Sequence, residues 1–225
     1  MTDNVLLQIA TWLVPLVIAI VFHEVAHGLV ARRLGDTTAQ ERGRLTLNPI
    51  KHVDPFGTVI LPLLLALSHA PVFGWAKPVP VNYRRLRNPR RDMVLVALAG
   101  PGMNLVLALI GAIGLAVALQ FSSDPDSLVT TFIAGNALNF VLINLFLAVF
   151  NLLPVPPFDG GHVVEGLLPP SLARPFKRIG RYSLLVLMVL LLVLPALGLD
   201  VVGHVVSPVV DGIAKALLGL FGIRA

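Results

Sequence analysis

The sequence predicts an all-α polytopic membrane protein of four to six transmembrane helices. It also predicts a re-entrant or short cytoplasmic-side segment and a helix broken beside the candidate site. Three observations carry this. Of 225 residues, 56% are hydrophobic and 13% charged, about half the charged share of a soluble domain, roughly 25%. The apolar residues fall in runs long enough to cross a hydrocarbon core of about 30 Å. The basic residues fall between these runs, in clusters at 32–51, 77–91 and 174–181, whereas the loop at 122–127 has no Lys or Arg and carries Asp124 and Asp126. Lys and Arg accumulate on the cytoplasmic side of short loops, so the three clusters are expected inside and 122–127 outside.

Each element follows from this pattern. Residues 5–31 form a first apolar stretch with Asp3 before it and Arg32 and Arg33 after it. It is expected to run from outside to inside. His23, Glu24 and His27 interrupt it, which sets it apart from a cleaved signal peptide. Residues 93–121 return outward, 129–150 come back in, and 182–199 leave again. Residues 56–73 are apolar but short, with Pro55, Pro62 and Pro71 as breakers and basic clusters on both flanks. A re-entrant hairpin or dipping helix, its backbone satisfied by protein or water, suits them better than a full crossing. Residues 201–222 are a last span or an interfacial helix, with Asp211 and Lys215 four apart on one face. Between the spans, Arg44-Leu45-Thr46-Leu47 alternates, suggesting a short strand. Lys77 to Asn82, with Pro78 and Pro80, reads as extended. One membrane-embedded domain over 1–225 is expected, with a core of about 5–165 and C-terminal helices at about 180–223.

Composition also excludes chemistries and partners. With no cysteine, disulfides, iron–sulfur clusters and thiolate metal sites are absent. The net charge of +5 does not mark a nucleic-acid binder, because the basic stretches flank membrane spans and no soluble domain organises them. The lipid bilayer is the expected partner.

The sharpest local signal is His23-Glu24-Val25-Ala26-His27. On a helix, positions i and i+4 share a face, so both imidazoles reach one zinc ion while Glu24 holds a water. Ionisable groups within an apolar stretch are costly and default to a functional site. A catalytic zinc takes three protein ligands and keeps one open position. Candidates for the third are His52, His69, His162, His204 and the carboxylates. The run Asn151 to His162 holds three prolines and two glycines and follows a span that ends on the cytoplasmic side. His27 lies six residues before Arg33, about 9 Å inside the same boundary by helical rise. Asp159 is therefore at a compatible depth and is the expected third ligand, with His162 next. Asn151 is read either as a substrate or oxyanion contact or as a helix-end cap. Asn104, after Gly100-Pro101-Gly102, is read equally as a helix-packing residue or as part of the site. His52, His69 and His204 are read as interfacial, and Glu165 as a surface carboxylate.

Together these motifs resemble the site-2 protease family of intramembrane zinc metalloproteases, in the compact branch without a PDZ domain. The resemblance rests on HEVAHG at 23–28, LGD at 34–36, RLTLNP at 44–49, AGPGMN at 99–104 and NLLPVPPFDGG at 151–161. It implies one zinc per chain bound by His23, His27 and Asp159, with Glu24 as the base and Asn151 near the cleft helping to hold substrate. Phe158 departs from the family's usual leucine but keeps the position apolar. The resemblance implies regulated intramembrane proteolysis in a bacterial cytoplasmic membrane, on membrane-anchored substrates such as anti-sigma or precursor transcription factors. A substrate helix shields its own peptide bonds, so it must unwind, and pairing with 44–47 or a neighbouring edge is the expected mode. The alternative is a zinc transporter or channel using the same ligands in transit. It would place acidic or His residues through several spans, whereas here they concentrate at one place.

Overall fold

A computed structural model describes residues 5–68, 74–122 and 127–223, the side chains of 5–10 and 128 excepted. His69, Ser123, Asp124, Asp126 and Arg224 lie outside the described residues. The architecture is all-α, with no strand among the described residues. Five helical stretches are long and apolar enough to cross a membrane: Thr11–Arg33, Pro89–Gln120, Val129–Asn151, Pro170–Ala196 and Val202–Gly219. The molecule is a multi-pass membrane protein.

The helices are α1 (Val5–Arg33), α2 (Thr38–Glu41), α3 (Leu61–Leu67), α4 (Pro89–Gln120), α5 (Leu128–Asn151), α6 (Asp159–Leu167), α7 (Pro170–Ile179), α8 (Ser183–Met188), α9 (Leu194–Ala196) and α10 (Ser207–Gly219). Helix α4 lies at the centre and packs on α1, α5 and α6. Its contact face is built from small residues: Ala108 and Ala112 are fully buried against Val141 and Leu145 of α5. Lipid tails are as apolar as leucine, so close backbone approach through small side chains holds membrane helices together. Val206, just before α10, and Val210, Ala214 and Leu218 of α10 join the same cluster, a stripe with a spacing of four. Asp211 and Lys215 fall on the exposed side of the helix. The stripe buries one face of Val202–Gly219, which is long and apolar enough to span despite its charges.

Pro170–Ala196 differs. Within its most apolar stretch Leu190 alone is buried, although Leu184 and Leu187 line the cavity described below.

The segment after Asp54 goes out and comes back. Asp54 caps it by accepting from the backbone N–H groups of Phe56 (3.2 Å) and Gly57 (2.7 Å). A short apolar helix runs over Pro55–Leu67. At its return, Trp75 N–H donates to Gly57 O (3.1 Å) and Thr58 Oγ1 donates to Trp75 O (2.8 Å). Both ends of the excursion therefore sit at one level, which is the geometry of a re-entrant segment.

The strand expected at 44–47 does not form. The polar groups there bond to side chains and turns instead of a ladder. Arg44 N–H donates to Ala39 O (2.9 Å), and the Thr46 carbonyl meets His52 Nε2 at 2.9 Å. Residues 74–82 run without helix, as their prolines predict.

Candidate active site

Two helices and one turn bring the site together. His23 and His27 project from one face of α1, both buried, at 7% and 9% exposure. Helix α5 stops at Asn151, and the chain turns through Leu152–Phe158, including a cis Pro156–Pro157 bond. Helix α6 then begins at Asp159. This is the broken helix the sequence predicts. Gly160 lets it close tightly: a Cβ there would lie 2.3 Å from Leu152 O and 2.4 Å from Leu153 O. Phe158 is buried at the turn, its ring 4.6 Å from that of Phe150. The ring at this position anchors the turn.

Three donor atoms converge. His23 Nε2 lies 3.0 Å from His27 Nε2, 3.2 Å from Asp159 Oδ2, and Asp159 Oδ2 lies 3.4 Å from His27 Nε2. Ligands about 2.0–2.1 Å from a tetrahedral zinc stand about 3.3 Å apart, so the triangle has the size such an ion requires. The outer nitrogens decide what the inner ones offer. His27 Nδ1 lies 2.7 Å from the carbonyl of Val96, which only accepts. His23 Nδ1 lies 2.6 Å from Asn104 Oδ1, also an acceptor. Both Nδ1 atoms therefore carry the proton, and both Nε2 atoms present lone pairs to the same point, as in metal-bound histidines with an outer hydrogen-bond partner. Two lone pairs and a carboxylate oxygen at this separation repel one another and suit a cation between them. Among the described residues, this is the one group of three His, Asp or Glu placed to share an ion. Gly100 of α4 forms the floor: a Cβ there would meet His27 Nε2 at 2.4 Å and His23 Cε1 at 2.5 Å.

A cavity of about 1130 Å³ opens beside this triangle and is lined by Glu24, Asn151 and Val79, among others. Glu24 is not in the triangle; its Oε2 accepts from Val79 N–H at 2.7 Å. Asn151 lines the cavity while its Nδ2 donates to Leu147 O (2.9 Å). His162 faces Glu165 at 3.9 Å, not the triangle, and Glu165 also pairs with Lys177 at 3.2 Å. His204 is exposed, bound to Asp200 O. His52 is buried in the loop, away from the triangle.

The stretch 75–82 is strapped across the cavity by partners the sequence analysis missed. Lys77 N–H donates to His52 O (2.8 Å) and the buried Arg44 donates to Lys77 O (2.7 Å). Asn82 N–H donates to Asp36 (2.5 Å). Asp36 is fully buried and also accepts from the backbone and hydroxyl of Thr38. Burial works against its charge, yet these hydrogen bonds hold its carboxyl below the usual range. Such a buried, multiply bonded Asp after a Gly was visible in sequence as LGD, but its partner 46 residues on was not.

Residues 11–136 and 130–194 match the family model of peptidase family M50. The chain belongs to this family, the site-2 proteases. Its relatives point the same way. YwhC of Bacillus subtilis (strain 168), by name a zinc metalloprotease, is 39% identical over 92% of this chain and 91% of its own. Rip2 of Mycolicibacterium smegmatis, named likewise, is 36% identical over 85% of this chain and 68% of its own. A similarly named protein of Methanocaldococcus jannaschii is 34% identical over 64% of each. No solved structure matches the chain. This M50 member is a zinc metalloprotease of the membrane.

Proposed function

We propose that this M50 protease is an intramembrane endopeptidase that cuts membrane-anchored proteins within or beside a transmembrane segment. His23, His27 and Asp159 hold one zinc, and Glu24 is the general base. The single observation that carries this reading is the convergence of His23 Nε2, His27 Nε2 and Asp159 Oδ2 within 3.0–3.4 Å, with both imidazoles oriented by acceptors behind them. When bound there, zinc supplies Lewis-acid activation of water and of the scissile carbonyl. Glu24 accepts the proton of the attacking water and returns it to the leaving amine. Val79 N–H holds the carboxylate of Glu24 in place beforehand.

Asn151 spends one N–H on Leu147 O. Its second N–H and its carbonyl oxygen are available to a substrate backbone. Strand addition passes from 44–47 to the strap. Residues 75, 77 and 79 use their N–H groups toward Gly57, His52 and Glu24. The carbonyls of Ala76, Pro78 and Pro80 accept nothing from the described residues. Pro78 and Pro80 have no N–H, so beyond Ala76 this edge offers acceptors only, and an unwound substrate must donate to it there.

The whole chain acts as one catalytic unit, with a core of about 5–165. It sits in the cytoplasmic membrane with the site toward the cytoplasmic side, on the bias of its basic clusters. Membrane-tethered anti-sigma or precursor transcription factors are the substrate class.

The test is Glu24→Gln in proteoliposomes with a panel of single-span substrates. The variant should keep its zinc and lose cleavage by about 10²–10⁴-fold. Asp159→Ala and His23→Ala should lose zinc. Zinc flux without cleavage by the wild type would replace the protease reading with transport.

A further inference from the structure

Behind His23 lies a chain of buried amides that ends on backbone carbonyls. Asn144 of α5 donates through Nδ2 to Phe140 O at 2.8 Å. Asn104 of α4 donates through Nδ2 to Asn144 Oδ1 at 2.8 Å and to Ala19 O of α1 at 3.3 Å. Asn104 Oδ1 faces His23 Nδ1 at 2.6 Å. Both asparagines are 0% exposed.

The direction of every bond is forced from the far end. Phe140 O and Ala19 O can only accept. Asn144 must therefore turn its NH2 toward Phe140 and leave its oxygen to Asn104. Asn104 must turn its NH2 toward Asn144 and Ala19 and leave its oxygen to His23. That oxygen also only accepts, so His23 Nδ1 carries the proton and Nε2 is left bare. A reversed amide at either position would set oxygen against oxygen or NH2 against N–H, inside a dry bundle where an unpaired polar group is costly.

We propose that Asn104 and Asn144 are positioning residues that fix His23 in its metal-binding tautomer. Asn144 acts through Asn104 and touches neither metal nor substrate. This rests on His23 being a zinc ligand. The relay ties α1, α4 and α5 to one imidazole and assigns a task to an amide in the middle of an apolar span.

The experiment measures zinc affinity by chelator competition, and the melting temperature of the zinc-stripped protein, for His23→Ala, Asn104→Leu, Asn144→Leu, the Asn104→Leu/Asn144→Leu double variant and Asn104→Asp. Outer-shell partners are worth about 10–100-fold in metal affinity. Asn104→Leu is expected to lose that much and Asn144→Leu about 10-fold, while the double variant binds zinc no more weakly than Asn104→Leu alone, because both act through one nitrogen. Asn104→Asp, a neutral acid in this interior, keeps an acceptor for His23 and a donor for Asn144, and is expected to bind zinc within a few-fold of wild type. Leaving these buried groups unpaired lowers the melting temperature of the stripped protein under either role, so affinity decides: a packing role alone would leave zinc binding within a few-fold of wild type in all the Leu variants. Additive losses, unchanged affinity in Asn144→Leu, or an Asn104→Asp as weak as Asn104→Leu would each overturn the relay. If His23→Ala also keeps its zinc, the ligand assignment fails; if it loses zinc while Asn144→Leu does not, the relay fails alone.

Discussion

Gly100→Ala adds one methyl group to the floor of the site. Built on the existing backbone, that methyl carbon lies 2.4 Å from His27 Nε2, 2.5 Å from His23 Cε1 and 2.6 Å from His23 Nε2, whereas ordinary contact begins at 3.4 Å. One or both rings must retreat by about 1 Å. Metal–ligand distances tolerate about 0.2 Å, and a displacement of about 1 Å in a catalytic arrangement costs about 100-fold. Zinc affinity is therefore expected to fall at least 100-fold, about 2.7 kcal/mol, and cleavage with it. The helix itself prefers Ala to Gly by about 1 kcal/mol, which offsets part of the about 1–3 kcal/mol that crowding the rings costs, so the zinc-stripped variant should lose far less stability than the loss in zinc affinity. Gly102→Ala is the matched control, since nothing lies within 4 Å of a Cβ there. Chelator competition and melting curves on the three proteins are the assay. A Gly100→Ala protein that binds zinc within threefold of wild type would refute the placement of the triangle against α4.

Asp36 gives a pH-dependent handle. Its folded carboxyl titrates below the ordinary value of 3.8, so its contribution is complete above that pH and is lost as pH falls through the lower folded value. Melting temperatures in detergent should drop in that acid window for the wild type and less so for Asp36→Asn. At neutral pH, Asp36→Ala leaves the N–H groups of Asn82 and Thr38 unpaired and should cost about 2–4 kcal/mol, read as a lower melting temperature. Topology is testable because the chain has no cysteine. Arg85→Cys, at a half-exposed side chain, should react with an impermeant thiol reagent only after permeabilisation; labelling of intact cells would put the strap outside.

Much of this was legible in sequence because membrane spans and metal motifs are local. The four long spans follow from apolar length, and His23, Glu24 and His27 from a spacing of one helical turn. Asp159 follows from its depth beside a run that could not remain helical. Other features depend on distant partners. Asn144 looks like any amide in an apolar helix until Asn104 is beside it. The alternation at 44–47 is a strand signal only if another edge supplies the ladder, and here Ala39 and His52 took those groups. His52 read as an interfacial loop residue, but its carbonyl anchors Lys77. Glu24 was read for its chemistry, and its contact with Val79, 55 residues away, had no local trace.

The span Pro170–Ala196 stands beside the cavity with its most apolar stretch barely buried, at Leu190 alone. One wall of the chamber is therefore bounded by a helix that little else in the protein holds, and beyond it is lipid. A substrate arriving by that side travels in two dimensions, and its relevant concentration is its mole fraction in the bilayer. Diluting a fixed amount of substrate with inert phospholipid should then raise the apparent KM in proportion to added lipid. Diluting the vesicles with buffer should leave the rate per enzyme unchanged.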